Sequence, residues 1–238
     1  MIGVKPRYDG LAEWYDEVMR DPGDRGLLAR SAYETLADLL GTGRGAALDI
    51  GCGTGLAAER VRMLGYEPYG IDLSLDQLGV ASRRLQAVQG DAARLPVASR
   101  RVPLAYSTFV SSDLDEFDAA VSEAYRVLRP GGRYVSVCVH PCLNGGHSQV
   151  SDDGTVVVRP GYASSGYQSG FEFGSTIRSH VGAWHRPLAE IINTFLAAGF
   201  GLVRLVETGP ATLPSLLGIS VVKPWTPSGP QVRGEAGR

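Results

Sequence analysis

Cysteine is scarce, and its placement excludes the chemistries it usually serves. Three residues, Cys52, Cys138 and Cys142, are an odd number that builds no closed disulfide framework. The stretch Cys138-Val139-His140-Pro141-Cys142 has no second pair to complete a tetrahedral zinc set. It reads as small buried residues on a strand and its exit, so no metal is expected and a reducing cytoplasm is the expected setting. Charge of one sign is lacking too: 23 Lys and Arg stand against 25 Asp and Glu, for a net charge of −2. With no basic run and no interleaving of arginine with aromatics, a nucleic-acid partner is not expected. No apolar run approaches the roughly 20 residues that span a bilayer. The opening MIGVKPRYDG has no apolar signal core, so neither a membrane nor export is expected.

The 238 residues, 44% hydrophobic and 20% charged, suit one soluble domain or a core with an insertion. Through the middle of the chain, strand-like and helix-like segments alternate, which implies a parallel sheet covered on both faces. AALDI (46–50) reads as a buried strand and LAAERVRML (56–64) as the next helix. YEPYGIDL (66–73) gives a second strand ending near Asp72. A helix follows, with Ser74 as N-cap and Leu75, Leu78 and Val80 on one side. LQAVQGD is a third strand stopped by Gly90, and VPLAYSTFV a fourth with Pro103 at its start.

DLDEFDAAVSEAYRVLRPGG reads as a helix opened by Asp113 and Asp115 and stopped by Pro130-Gly131-Gly132. RYVSVCVH is a fifth strand. His185 is expected to begin a further amphipathic helix ending at Gly199, before the strand GLVRLVE. Outside the alternation lie an aromatic helical start with Tyr8, Trp14, Tyr15 and Tyr33, and a long Gly/Ser/Tyr-rich stretch after the fifth strand. A connection of that length usually serves as a lid or binding insert. The domain plan is 1–40 helical cap, 41–140 core, 141–183 covering insert, 184–223 the remainder of the core sheet, and 224–238 a disordered tail.

Gly51, Gly53 and Gly55 alternate just after the first strand. Glycine here allows left-handed backbone or lets a ligand press on the main chain. A dinucleotide fingerprint, G-x-G-x-x-G, would need glycine at Leu56. The spacing found, D-x-G-x-G-x-G from Asp49, resembles the first motif of class I S-adenosylmethionine-dependent methyltransferases of the small-molecule type. GID at 70–72, GDAARLP at 90–96 and RVLRPGGRYVSV at 126–137 resemble that family's later landmarks, in the same order.

The resemblance implies a Rossmann-like, doubly wound α/β fold with a seven-stranded, mostly parallel sheet. It implies S-adenosylmethionine as methyl donor, S-adenosylhomocysteine as product, and no metal. Asp49 would meet the donor's α-ammonium, and the loop Gly51, Cys52, Gly53 and Gly55 its amino-acid part. Asp72, followed by Leu73, would take the ribose hydroxyls; Asp91 and the Ala92 amide would take the adenine; Tyr15 would cover the cofactor.

The family often carries a histidine after strand four. Ser111-Ser112 stand there instead, so a base would come from elsewhere, and His140 and His185 are expected to face one another across the acceptor site. His147 and His180 rank below them. The expected substrate is a small aromatic or heteroaromatic molecule of bacterial secondary metabolism, and a homodimer is possible. A methyltransferase fold recruited for a non-methylating reaction, such as a cyclisation, is the alternative.

Overall fold

The structure, a computed structural model, describes residues 6–23, 26–142, 147–150, 155–169, 176–209 and 213–225. Its centre is β1 (Gly45–Ile50), whose last four residues are buried because parallel strands flank it on both edges. β2 (Tyr66–Asp72) and β3 (Gln86–Gln89) extend the sheet one way, and β4 (Val102–Thr108) and β5 (Leu128–Val139) the other. The chain changes direction between β1 and β4. In open α/β sheets a ligand crevice forms outside the carboxyl ends of the strands at such a point.

Two later strands complete a seven-stranded sheet in the order β10-β11-β5-β4-β1-β2-β3. In it β11 (Leu216–Val222) runs antiparallel between β5 and the edge strand β10 (Gly201–Thr208). Between β5 and β10 the chain forms β6 (Ser148–Val150), β7 (Val156–Val158), β8 (Gly166–Gln168), α6 (Thr176–Val181), β9 (Ala183–His185) and α7 (Leu188–Ala197).

Alternation along β5 divides the core. Tyr134 and Cys138 face a layer with Phe117, Phe195 and Phe200, whereas Val135 and Val137 face Leu36, Leu39 and Leu40. The first layer is supplied by α5 (Phe117–Val127) and α7. The second is supplied by α2 (Leu27–Leu40), which follows α1 (Ala12–Arg20). Leu36 is fully buried, so truncating it to alanine removes about 2–5 kcal/mol.

Several local expectations shift. The helix after β2, α4 (Leu75–Ala81), is capped by Ser74, whose hydroxyl accepts the Gln77 N–H at 3.3 Å. Its inward face is Gln77, Val80 and Ala81, while Leu75 is 63% exposed. α3 is only Ala58–Met63. α5 starts at Phe117, not at Asp113, because residues Val110–Ser112 first wind a 3-10 turn after Phe109, which adopts φ +65°. α5 ends at Val127, and Pro130-Gly131-Gly132 lies within β5 rather than in a loop. Pro130 favours extended backbone at the residue before it. The Gly131 N–H then donates to the Lys223 carbonyl.

His185 does not begin a helix. It ends β9, and α7 starts at Leu188, since Pro187 disfavours helical backbone at Arg186. Most of the tail expected to be disordered, and parts of the insert, lie outside the described residues. No helix among the described residues is long and apolar enough to cross a membrane.

Candidate active site

The three glycines have different local reasons. All adopt positive φ: +71° at Gly51, +53° at Gly53 and +78° at Gly55. A Cβ on Gly51 would lie 2.6 Å from Val110 Cγ2, and one on Gly55 2.4 Å from Leu85 Cδ2. Those two let the loop pack on its own protein. On Gly53 the nearest neighbour is Gln77 Oε1 at 3.5 Å, so its Cβ direction is open. Of the three, only Gly53 leaves its main chain open toward a ligand.

Of the buried polar atoms without a hydrogen-bond partner among the described residues, five lie on β1, the glycine loop, α4 and β4: Asp49 Oδ1, Thr54 Oγ1, both amide atoms of Gln77, and the Tyr106 hydroxyl. Each such group costs about 1–3 kcal/mol when left unmade. A concentration of them at the end of β1 therefore fits a polar ligand. Asp49 is 1% exposed, and burial pushes its carboxyl up to about 8, the Asp72 charge adding to the shift. A cation placed here would recover the ionised form. Gln77 was not singled out from sequence, because an amide in a polar-looking helix carries no sign of what buries it.

Asp72 ends β2 with both oxygens oriented. Oδ2 accepts the Gly53 N–H at 2.8 Å and Oδ1 the Ser74 N–H at 2.9 Å. Burial raises its pKa while those N–H groups restrain the rise. Asp91 accepts from Ala93 N–H at 2.8 Å and pairs with Arg94 at 2.9 Å; Ala92 beside it is buried. Leu73 is half exposed at its side chain, and its carbonyl takes a hydrogen bond from Gln89. Cys52 is buried against Gly70, and burial pushes its thiol up, so it is no nucleophile. Its N–H and that of Gly51 both donate to the Ile71 carbonyl.

Tyr15 reaches this region from α1. Burial first, then the Asp113 charge, holds its phenol protonated; Arg178 opposes and Asp72 adds. Its ring meets Tyr8 edge-on at 5.4 Å.

The histidines fall into a different arrangement from the expected facing pair. His140 follows β5, and its Nε2 lies 2.7 Å from Glu207 Oε1 on β10. The Cys142 N–H donates to His140 Nδ1 at 3.3 Å, so in the neutral ring Nε2–H donates to Glu207 and both nitrogens are engaged. His185 Nε2–H donates to the Tyr162 carbonyl at 2.7 Å, which leaves Nδ1 as its basic nitrogen.

The ring in contact with His185 is His147, at 4.7 Å between centroids. His147 donates from Nε2 to the Cys142 carbonyl at 3.2 Å, and its Nδ1 is buried without a partner. Burial lowers its pKa. Tyr162 completes the cluster: its hydroxyl accepts from Cys142 Sγ and from the Leu188 N–H. His140 and His185 are thus linked through Cys142 and Tyr162. His180 lies on α6, its ring 4.7 Å from Trp14. No group of three or more His, Cys, Asp or Glu among the described residues is arranged to hold a metal.

Comparison with known proteins bears on the fold and the domain. Residues 48–136 match the family described as a methyltransferase domain. The chain is 32% identical over 129 residues to a malonyl-[acyl-carrier protein] O-methyltransferase of Pectobacterium atrosepticum, covering 53% of this chain and 47% of that protein. The chain thus spans about half the length of that relative. It is 29% identical over 210 residues to a demethylmenaquinone methyltransferase of Mycolicibacterium gilvum, covering 84% and 87%. In fold it is similar to a putative S-adenosylmethionine-dependent methyltransferase from Listeria monocytogenes. There the TM-score is 0.68 at 22% identity, over 82% of this chain and 99% of the other. The domain match over residues 48–136, the sheet order and the glycine loop all resemble those of S-adenosylmethionine-dependent methyltransferases.

Proposed function

We propose that the protein transfers the methyl group of S-adenosylmethionine to a small, ring-containing molecule, in the setting of bacterial secondary metabolism. When bound, S-adenosylmethionine supplies an electrophilic methyl on a sulfonium sulfur. The observation that carries this reading is the coincidence, at the carboxyl ends of β1 and β2, of the open Gly53, the unpaired Asp49 and Gln77, and the pre-oriented Asp72. Asp49 would hold the α-ammonium, Asp72 the ribose hydroxyls, and Asp91 with the Ala92 amide the adenine.

The protein's further part is alignment and exclusion of water. Tyr8, Trp14 and Tyr15 of the amino-terminal segment, Tyr167 of the insert and Trp184 just after it supply aromatic surface; Tyr8 meets Tyr15 edge-on and Tyr167 lies 5.7 Å from Trp184. That surface favours a flat ring, in keeping with the demethylmenaquinone named for one relative. A carboxylate or thioester acceptor, as in the malonyl relative, is the competing substrate class. His185 is the better-placed base, since His140 already spends both nitrogens on Glu207 and Cys142.

The test is methyl transfer from labelled donor to a panel of hydroxylated aromatics, quinols and malonyl thioesters. Labelled aromatic product supports the proposal, and transfer confined to malonyl thioesters replaces its substrate class. Tight S-adenosylhomocysteine binding without turnover on any acceptor would favour a recruited, non-methylating fold.

A further inference from the structure

The loop after β4 is a fixed post. Arg186, 8% exposed, donates to the Ser111, Leu114 and Asp115 carbonyls at 2.9, 2.7 and 2.8 Å. On this post stands Asp113, and two distant parts of the chain converge on it. From the amino-terminal side, the Tyr8 hydroxyl lies 3.2 Å from both Asp113 carboxylate oxygens, and Arg7 donates to the Asp113 carbonyl. From the insert, Arg178 pairs with Asp113 Oδ1 at 2.7 Å and also donates to Ser112 Oγ.

The next residues of the amino-terminal segment are tied at α4 and just after it. Asp9 accepts from Ser74 at 2.6 Å, Gly10 N–H donates to Asp76, and Asp16 pairs with Arg84 at 2.6 Å. Residues 7–16 therefore cross from α4, beside Asp72, to the β4 loop, and Tyr15 lies within the electrostatic reach of both Asp72 and Asp113. The α4 end carries several ties within the segment's own packing. The far end is held by the Tyr8 bonds to the Asp113 carboxylate and by Arg7 to the Asp113 and Val181 carbonyls.

We propose that Asp113 is the latch of this strap, and that breaking its bonds to Tyr8 and Arg178 sets the rate at which the nucleoside product leaves. The inference rests on the cofactor reading above. It adds that a carboxylate on the β4 loop, where the family often has histidine, acts by closure rather than by chemistry. With the latch made, α1 and α6 are joined over the crevice, as the Trp14 and His180 ring contact also reflects. Arg7 joins the same closure by donating to the Val181 carbonyl at 3.3 Å.

The experiment is stopped-flow displacement of S-adenosylhomocysteine, read by tryptophan fluorescence, in wild type, Asp113→Asn and Tyr8→Phe. Asp113→Asn should release the nucleoside about tenfold faster, as expected for losing a charge-assisted hydrogen bond. Tyr8→Phe, which removes one hydroxyl and keeps the fold, should release it faster too. Hydrogen exchange over Ala12–Arg20 and Thr176–Val181 in the ligand-free protein reads the latch independently of ligand, and should rise in both variants. Release rates within about twofold of wild type, or unchanged exchange in both variants, overturn the latch. If wild type binds no S-adenosylhomocysteine, the cofactor reading fails together with the product-release claim, and the exchange arm still decides whether Asp113 holds the strap.

Discussion

Asp72 Oδ2 accepts the backbone N–H of Gly53 at 2.8 Å, so the strand-two acid and the glycine loop are one unit. Asp72→Ala should therefore weaken S-adenosylhomocysteine binding by about 2 kcal/mol or more, roughly 30-fold, because ribose acceptors and loop support go together. Calorimetry checks this, and binding should survive a chelator. Wild-type affinity in the variant removes Asp72 from the site.

Protonation of Asp49 should be visible in binding. Its carboxyl is pushed up to about 8 in the ligand-free protein, from an ordinary 3.8, mainly by burial. A cationic ammonium beside it favours the ionised form, so binding below pH 8 expels a proton and affinity should rise with pH until about 8. For folding the sign is opposite. The stability Asp49 contributes by holding its proton is fully present below pH 3.8 and is lost as pH rises through about 8. Calorimetry in buffers of differing ionisation enthalpy measures the proton released; no release at pH 7 would contradict the assignment.

The glycines should separate stability from binding. Gly51→Ala and Gly55→Ala force a Cβ against Val110 and Leu85 at positive φ, and should lower the melting temperature sharply. Gly53→Ala meets only backbone strain, about 1 kcal/mol, and its main loss should be ligand affinity. Thermal melts paired with titration distinguish the two classes. Equal melting losses at all three positions would refute the division.

Among the histidines, His185→Ala should lose about 10²–10⁴-fold in kcat if its Nδ1 takes the acceptor proton. His140→Ala should act chiefly on stability, since it cuts the tie to Glu207 across β11. Steady-state kinetics beside melting curves would show it. Near-normal kcat/KM for His185→Ala from pH 6 to 9 ends its catalytic role.

What sequence made legible was local. The glycine triplet, the acids ending β2 and following β3, and the alternating segments all sit within a few residues of the elements they specify. Gln77 was hidden because its burial is decided by a loop more than twenty residues earlier. The Asp113 contacts join residues 65 and 105 positions apart, and no periodicity announces such a pairing. His147 was underrated because its significance comes from His185, on a different strand. The helix expected from His185 failed for a local reason that was on view, Pro187.

The placement of β11 bears on how the molecule is made. The last strand among the described residues, β11, is not an edge but an interior one, seated between β5 and β10. Until Leu216–Val222 emerges, β5 presents an unpaired edge and β10 has no sheet to join. Nascent chain therefore waits with exposed strand edges, the state most open to pairing with other molecules. Closure of this side of the sheet waits on that one strand, and removing Leu216–Val222 should produce aggregation rather than a smaller functional enzyme.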